Sequence, residues 1–189
     1  SSATAGSTSM AHHHTPPQPH ASRLTDFAGH PLVVSVTPGQ PELVAATAVS
    51  LGRAIAAPTL YFAYVDPSRY TIDEFADGTV RHASIDPDAD EDWEDVAANL
   101  TREVKTAMHG QDQPWEFRYL AGRVDRSLTH LARAVDAAAF VVATHRGHHH
   151  HIRDFVRESI SVQLAHHQHR PVLVVPLEVI DWEGHAPWD

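Results

Sequence analysis

Cysteine is absent from the 189-residue chain, which excludes disulfides, thiolate catalysis and cysteine-based zinc sites. Long apolar runs are absent too: stretches such as 137–143 and 172–175 fall far short of the roughly 20 residues that span a bilayer. Basic residues are few, since 14 Lys and Arg face 24 Asp and Glu, a formal net charge of −10. That charge repels nucleic-acid phosphates and anionic lipids. We therefore predict a soluble, cytoplasmic protein that has neither nucleic acid nor membrane as a partner.

The sequence also lacks the loops that mark common nucleotide enzymes. No G-x-G-x-x-G or G-K-[ST] loop occurs, so neither a dinucleotide site nor a Walker-type site is supported. No Ser/His/acid set, carboxylate pair or H-E-x-x-H motif can be placed with a catalytic geometry. We predict that the chain is not an enzyme.

Apolar segments of two kinds alternate along the rest of the chain. Short β-branched runs predict five strands, whereas apolar residues at helical spacing, such as Val44, Ala48 and Leu51, predict four helices. The predicted strands are 32–36, 59–65, 115–120, 138–143 and 171–175, and the last helix is 155–165. This alternation predicts an α/β fold: a doubly wound, five-stranded parallel sheet of order 3-2-1-4-5, with helices on both faces.

Composition divides the chain into one domain and two tails. Residues 1–29 are rich in Ser, Thr, Pro and His and are predicted to form a disordered tail. Residues 30–177 form the predicted domain, and 178–189 a C-terminal tail. Within the domain, 66–92 is polar, acidic and without a sustained period, which predicts a long surface loop.

Ligands of open parallel sheets bind where the strand order reverses, outside the carboxyl ends of the strands. Here that point lies between strands 1 and 4. The loops that follow these strands are 37–40 and 144–158. Any functional site of the domain is expected there.

The second half of the domain carries a specific resemblance. Residues 138–176 read AAFVVATHRGHHHHIRDFVRESISVQLAHHQHRPVLVVP. This stretch resembles the C-terminal half of universal stress proteins in the order and spacing of strand, turn, helix and final strand. The resemblance implies a non-catalytic stress-response module with a Rossmann-like fold and a degenerate ATP-binding loop. The site residues that it implies are Thr37, Pro38, Val65, Thr144, His145, Arg146, Gly147, Ser159 and Ile160.

The resemblance also shows which loop residues are altered. Thr144 and Glu158 stand where the family has glycines that let backbone N–H groups approach phosphates, and Thr37 replaces an Asp that contacts the nucleoside. A carboxylate about 4 Å from a phosphate charge costs on the order of 4 kcal/mol at an effective dielectric of 20. Two interpretations stay open. Either the loop binds ATP or AMP weakly, with Mg only as the nucleotide's companion, or Glu158 simply stabilises the fourth helix through its dipole.

Three arginines of the same loop, Arg146, Arg153 and Arg157, can neutralise Glu158 or hold an anion directly. The sign of the electrostatic potential at the loop therefore stays undecided.

Histidine is concentrated in the same region and supports an alternative function. Eight of the 17 histidines lie between His145 and His169, four of them consecutive at 148–151. Imidazole clusters bind Zn or Ni, but four consecutive histidines set no ligand geometry, so we favour a solvated loop and assign no metal ligands. A histidine-rich metal-binding protein is the first alternative function, and a weak ATPase is the second.

The last strand is expected to lie at an edge of the sheet. An apolar edge strand is usually paired or covered, and the resemblance implies pairing with a second copy of the chain. The predicted partner is therefore another copy, which makes a homodimer through Val172, Leu173, Val174 and Val175.

Overall fold

The described part of the chain contains seven strands and four α-helices. The computed structural model describes residues 17–39, 41–89, 92–144 and 160–177. The strands are β1 Leu32–Ser35, β2 Leu60–Asp66, β3 Arg69–Glu74, β4 Val80–Ser84, β5 Trp115–Ala121, β6 Ala139–Ala143 and β7 Val172–Val175. The helices are α1 Pro41–Ala54, α2 Trp93–Ala107, α3 Val124–Val135 and α4 Ile160–His167.

Five of the strands form one parallel sheet of order β5-β2-β1-β6-β7. When the separate pair β3 and β4 is left out of the count, this is the predicted order 3-2-1-4-5. The α/β class and the parallel sheet are thus confirmed. The register aligns Leu32 of β1 with Leu60 of β2 and with Ala139 of β6.

Helices cover both faces of the sheet, because alternate residues of each buried strand point to opposite sides. Leu32 and Val34 face α1 and α2, where they pack with Val44 and Leu100. Val33 faces α3 and α4 and belongs to a second core with residues such as Leu128, Phe140 and Leu164. Two apolar layers therefore enclose the sheet. No helix within the described ranges is both long and apolar enough to cross a membrane.

The segment predicted as a long loop contains an antiparallel hairpin instead. β3 pairs with β4, from Arg69 opposite Ser84 to Glu74 opposite Val80. The turn is built by Asp77, whose carboxylate accepts hydrogen bonds from Thr79, and by Gly78 at φ +86°. An Asp-Gly pair between short strands is a recognised hairpin signal. The sequence did not predict this hairpin, because apolar residues such as Tyr70 and Ile72 are few and solvent-exposed there. They form no sustained alternation of apolar and polar positions.

The hairpin covers the β5 edge of the sheet. The Thr71 hydroxyl donates to the Ala121 carbonyl at 3.1 Å, and Arg118 of β5 reaches the Asp77 carbonyl at 3.4 Å. Near its turn, Glu74 lies 3.3 Å from the His130 ring on α3. The hairpin therefore fastens β5 to α3.

Other differences from the sequence prediction are local. Val96 of α2 is exposed, although it stands at helical spacing from the buried Leu100 and Val104. Ala21–Arg23 form a short 3-10 helix and Phe27 packs against the α1–α2 core, so ordered structure begins before residue 30. α4 continues to His167 rather than stopping at residue 165, while its predicted start, 155–159, lies outside the described residues.

The end of α4 is fixed to α3 by polar contacts. Gln168 caps the end of this helix: its side-chain amide donates to the Leu164 carbonyl at 2.9 Å. His167 lies 3.0 Å from Asp125 at the start of α3. Asp125 is only 2% exposed and accepts two hydrogen bonds from Arg123. These bonds hold the pKa of Asp125 down at about 2.

Candidate functional site

The carboxyl ends of β1 and β6 are adjacent, and α1 and α4, the next described helices after these strands, lie on opposite faces of the sheet. A shallow cavity of about 10 Å³ opens there, lined by Ser35, Val36, Thr37, Val44, Val142, Ala143 and Thr144. This volume holds about one water molecule. The structure thus brings Thr37 and Thr144, two of the predicted site residues, to opposite sides of one cleft.

Thr144 connects β6 to the end of β7. Its backbone N–H donates to the Val175 carbonyl at 2.9 Å, which extends the strand pairing by one residue. Its hydroxyl oxygen accepts a hydrogen bond from the Leu177 N–H at 3.0 Å. A glycine at this position would lose the second bond. Thr144 therefore has a structural role, and its hydroxyl keeps one proton that it can donate to a ligand.

The β1–α1 loop is bound by a carboxylate of α2, a contact that the sequence did not predict. Gly39, at φ +83°, donates its N–H to Oε2 of Glu103 on α2 at 2.9 Å. Backbone N–H groups of such loops are natural phosphate donors, and here one of them is already bound to an anion. Thr37 next to it is half-buried, and its hydroxyl has no hydrogen-bond partner in the described part of the chain. Pro38 is exposed.

The other predicted site residues do not line the cleft in the described part of the chain. Val65 is buried in the core beneath α3, and Ile160 packs against the same core. His145, Arg146, Gly147 and Ser159 lie outside the described residues, as does Glu158. The structure therefore places Thr37 and Thr144 at the cleft, Pro38 in the exposed part of the loop after Thr37, and Val65 and Ile160 in the packing of the α3–α4 face.

A polar and aromatic cluster, which sequence reasoning missed, lies further along the same edge. Asp66, at the end of β2, is 7% exposed. Its carboxylate accepts hydrogen bonds from the Tyr119 hydroxyl at 2.5 Å and from the Ser68 hydroxyl at 2.6 Å. Tyr119 contacts the rings of Tyr64 and Trp93. This Asp66–Tyr119 pair joins β2 to β5 under the start of α2.

The hairpin enters this cluster through a second pair. Arg69, also 7% exposed, donates its Nε–H to His82 Nδ1 at 2.7 Å. The Arg69 guanidinium lies 5.5 Å from the centre of the Trp93 ring, a cation–π distance. His82 must be neutral at Nδ1 to accept this hydrogen bond. This hydrogen bond between β3 and β4 therefore forms only while His82 Nδ1 is unprotonated.

The electrostatics of the cluster are consistent with these hydrogen bonds. Burial alone would raise the pKa of Asp66, but hydrogen bonds from Ser68 and Tyr119 and the charge of Arg69 bring it below its usual value. Burial and the bond to Asp66 raise the pKa of Tyr119. Burial, and then the charge of Arg69, lower the pKa of His82. Near neutral pH the cluster thus contains a carboxylate, a guanidinium, a phenol and a neutral imidazole.

Metal binding finds no support among the described residues, which contain no group of three His, Asp or Glu side chains placed to hold an ion. The histidines at 145 and 148–151, on which the metal-binding alternative rests, lie outside those residues.

Comparison with known proteins identifies relatives of this fold. A model of the universal stress protein family matches residues 40–176. A universal stress protein from Archaeoglobus fulgidus superposes with a TM-score of 0.53 at 16% identity, over 78% of this chain and 93% of that one. A structure from the same organism with dAMP gives 0.51 at 18% identity, over 77% and 96%. A universal stress protein in complex with cAMP gives 0.52 at 20% identity, over 80% and 99%. No curated protein matches the chain.

Proposed function

The chain belongs to the universal stress protein family, and from that premise we propose that it is a cytoplasmic, non-catalytic stress-response module that senses an adenine nucleotide or another anion. The site is the cleft between β1 and β6. The observation that carries the proposal is the meeting of Thr37 and Thr144 across a cavity at the strand-order reversal. Two proteins of similar fold were solved with dAMP and with cAMP.

Two features of this cleft favour weak binding of the phosphates. The Gly39 N–H is bound by Glu103, and the resemblance to the family puts Glu158 where the family has a glycine. Each carboxylate repels a phosphate, by on the order of 4 kcal/mol at about 4 Å and a dielectric of 20. We infer that affinity depends on the nucleoside more than on the phosphates.

Calorimetric titration with adenosine, AMP and ATP, with and without Mg, tests this proposal. The native protein is expected to bind adenosine at least as tightly as ATP. Glu158→Gly and Glu103→Gln are each expected to tighten ATP binding by about tenfold or more, because each removes one like charge. Glu94→Gln changes an exposed carboxylate in the first turn of α2 and serves as the control.

Two results would contradict the proposal. One is tight ATP binding by the native protein that neither substitution improves. The other is the absence of binding of all three ligands to the native protein and to both variants, which would leave the cleft without a nucleotide role.

We also propose that the protein forms a homodimer through β7. One edge strand of the sheet, β5, is covered by the β3–β4 hairpin. The other, β7, exposes Leu173 and Val174 at 42% and 40%, and an apolar open edge is a template for strand pairing. β7 is therefore the edge that a second copy can extend.

Light scattering coupled to size-exclusion chromatography tests the dimer. The native protein is expected to elute as a dimer, and Val174→Lys is expected to shift it to a monomer because the charge disfavours edge pairing. Val96→Lys places the same charge on a comparably exposed site of α2 and should leave the dimer intact. A dimer that persists in Val174→Lys would mean that the subunits meet elsewhere.

A further inference from the structure

The β3–β4 hairpin has its polar and apolar faces reversed. Successive residues of a strand point to opposite faces, and the face that meets the rest of the protein is mostly polar. There Thr71 donates to the Ala121 carbonyl, and Arg69 bonds to His82 beside the Trp93 ring. An antiparallel hairpin on a protein surface usually turns its apolar face inward and its polar face to solvent.

The large apolar side chains lie on the solvent face instead. Tyr70 is opposite Ala83 in the register, and Ile85 continues this side, because its N–H donates to the Ser68 carbonyl at 3.0 Å. Tyr70, Ile72 and Ile85 are 49%, 44% and 62% exposed. We call Tyr70, Ile72, Ala83 and Ile85 the outer hairpin face.

Contacts on the inner side hold the hairpin in this orientation. A slip of one residue in the strand pairing would exchange the two faces. Arg69 opposes such a slip because it is buried to 7% exposure, and so does the hydrogen bond of Thr71 to β5. Near the turn, Glu74 lies 3.3 Å from the His130 ring on α3. The protein thus keeps several adjacent apolar side chains in water, which marks an interaction surface.

An acidic segment borders the outer hairpin face. Residues 86–95 directly follow Ile85 and contain seven Asp and Glu but no Lys or Arg. The acidic residues of this segment that the structure describes are all exposed, namely Asp86, Asp88, Asp92, Glu94 and Asp95. On the hairpin itself, the charge of Arg81 is paired with Asp73. The surface therefore combines an apolar centre with a negative border.

The negative border determines which partner fits the face. A second copy of the chain would bring the same acidic segment and a net charge of −10, and anionic lipids would be repelled as well. The two ends of the chain are also unsuited, since neither 1–16 nor 178–189 contains Lys or Arg. The complementary chemistry is an apolar segment that carries Lys or Arg beside its apolar residues.

We propose that the outer hairpin face binds a cationic amphipathic segment of a partner protein. Tyr70, Ile72 and Ile85 contact the apolar side chains of that segment, and residues 86–95 attract its Lys or Arg. Large apolar anchors supply most of the energy of such contacts, whereas complementary charges set orientation and association rate. The face lies at the β5 edge of the sheet, apart from the cleft and from β7 at the other edge. Binding there is therefore compatible with a filled cleft and with a dimer.

Amide NMR titration with designed peptides tests the proposal on the native protein. The probe is a helical peptide of about 14 residues with Leu on one face and Lys on the other. One matched peptide has Ala in place of Leu, and another has Glu in place of Lys. At neutral pH and constant ionic strength, we expect the Leu/Lys peptide to give saturable shifts of the amides of Tyr70, Ile72, Ala83 and Ile85. Neither matched peptide should shift them.

Two substitutions test whether the apolar side chains bind the peptide. Tyr70→Ser and Ile85→Ser are each expected to weaken binding of the Leu/Lys peptide by about tenfold, because each removes one large apolar contact. Both side chains are exposed, so the fold should be retained, which circular dichroism checks. The matched control is Leu43→Ser on α1, where the side chain is 50% exposed; this variant should bind the peptide as the native protein does.

The proposal fails if the Leu/Lys peptide gives no saturable shift, if the Ala/Lys peptide binds equally well, or if both hairpin variants keep the native affinity. Shifts of the same amides without peptide would overturn it too. If they appear on dilution of the protein, the face belongs to a second copy. If they appear in Arg153→Gln, it belongs to residues 145–159 of the chain itself.

Discussion

Removing the Tyr119 hydroxyl is expected to destabilise the protein without disturbing its packing. In Tyr119→Phe the ring still contacts Tyr64 and Trp93, at 5.4 and 5.3 Å between centroids. Asp66, however, loses a hydrogen bond of 2.5 Å while its charge stays buried. A hydrogen bond to a charged group contributes about 1.5 to 3 kcal/mol. For a domain of this size we expect a fall in Tm of roughly 3 to 12 °C.

Urea unfolding followed by circular dichroism measures this loss, and its pH dependence identifies the cause. The pKa of Asp66 is lowered in the folded state, so its stabilisation is complete above the unfolded pKa of about 3.9 and is lost as the pH falls through the folded value. The difference between native and variant should therefore be full at pH 7 and shrink below pH 4. Tyr70→Phe, at an exposed hairpin position, is the control. A difference at pH 7 below about 0.5 kcal/mol, or one equally large at pH 3, would refute the assigned role of this hydrogen bond.

Three further substitutions test other contacts by the same unfolding assay. Gly78→Ala should lower the free energy of unfolding by about 2 to 3 kcal/mol, because φ is +86° and the new Cβ would lie 2.6 Å from Leu131 Cδ1. Gly110→Ala is the control and should have a clearly smaller effect, because φ there is +76° but the space around it is open. The lowered pKa of His82 makes stability fall as the pH drops below about 6.5, and His82→Gln should remove that part of the pH profile. Asp125→Asn should lower the free energy of unfolding by about 1 to 3 kcal/mol at pH 7. This difference from the native protein should disappear as the pH falls from about 3.9 toward 2. A difference that does not depend on pH would contradict the Arg123 ion pair.

The sheet and its helices could be predicted because their signals are periodic and local. Val33 and Phe140 sit in short β-branched or apolar runs, and Leu128 and Leu131 recur at helical spacing, so each pattern reports its own element. The hairpin was missed although Asp77 and Gly78 signal a turn. Its strands are too short and too exposed for hydrophobic periodicity to reveal them.

Hydrogen bonds to charged side chains from residues far away in the sequence could not be predicted. Glu103 and Gly39 are 64 positions apart, and Asp66 and Tyr119 are 53 apart. Neither pair belongs to a motif with fixed spacing. Arg170 shows the same difficulty, since its bond to the Ala137 carbonyl joins residues 33 positions apart, and nothing in the neighbouring sequence distinguishes it from the exposed Arg133.

The charges at the carboxyl edge of the sheet bear on what the proposed cleft can bind. Glu103 occupies the Gly39 N–H that a phosphate would use, and Asp66 stays ionised a short distance along the same edge. Phosphate is therefore disfavoured at the point where the fold suits a nucleoside.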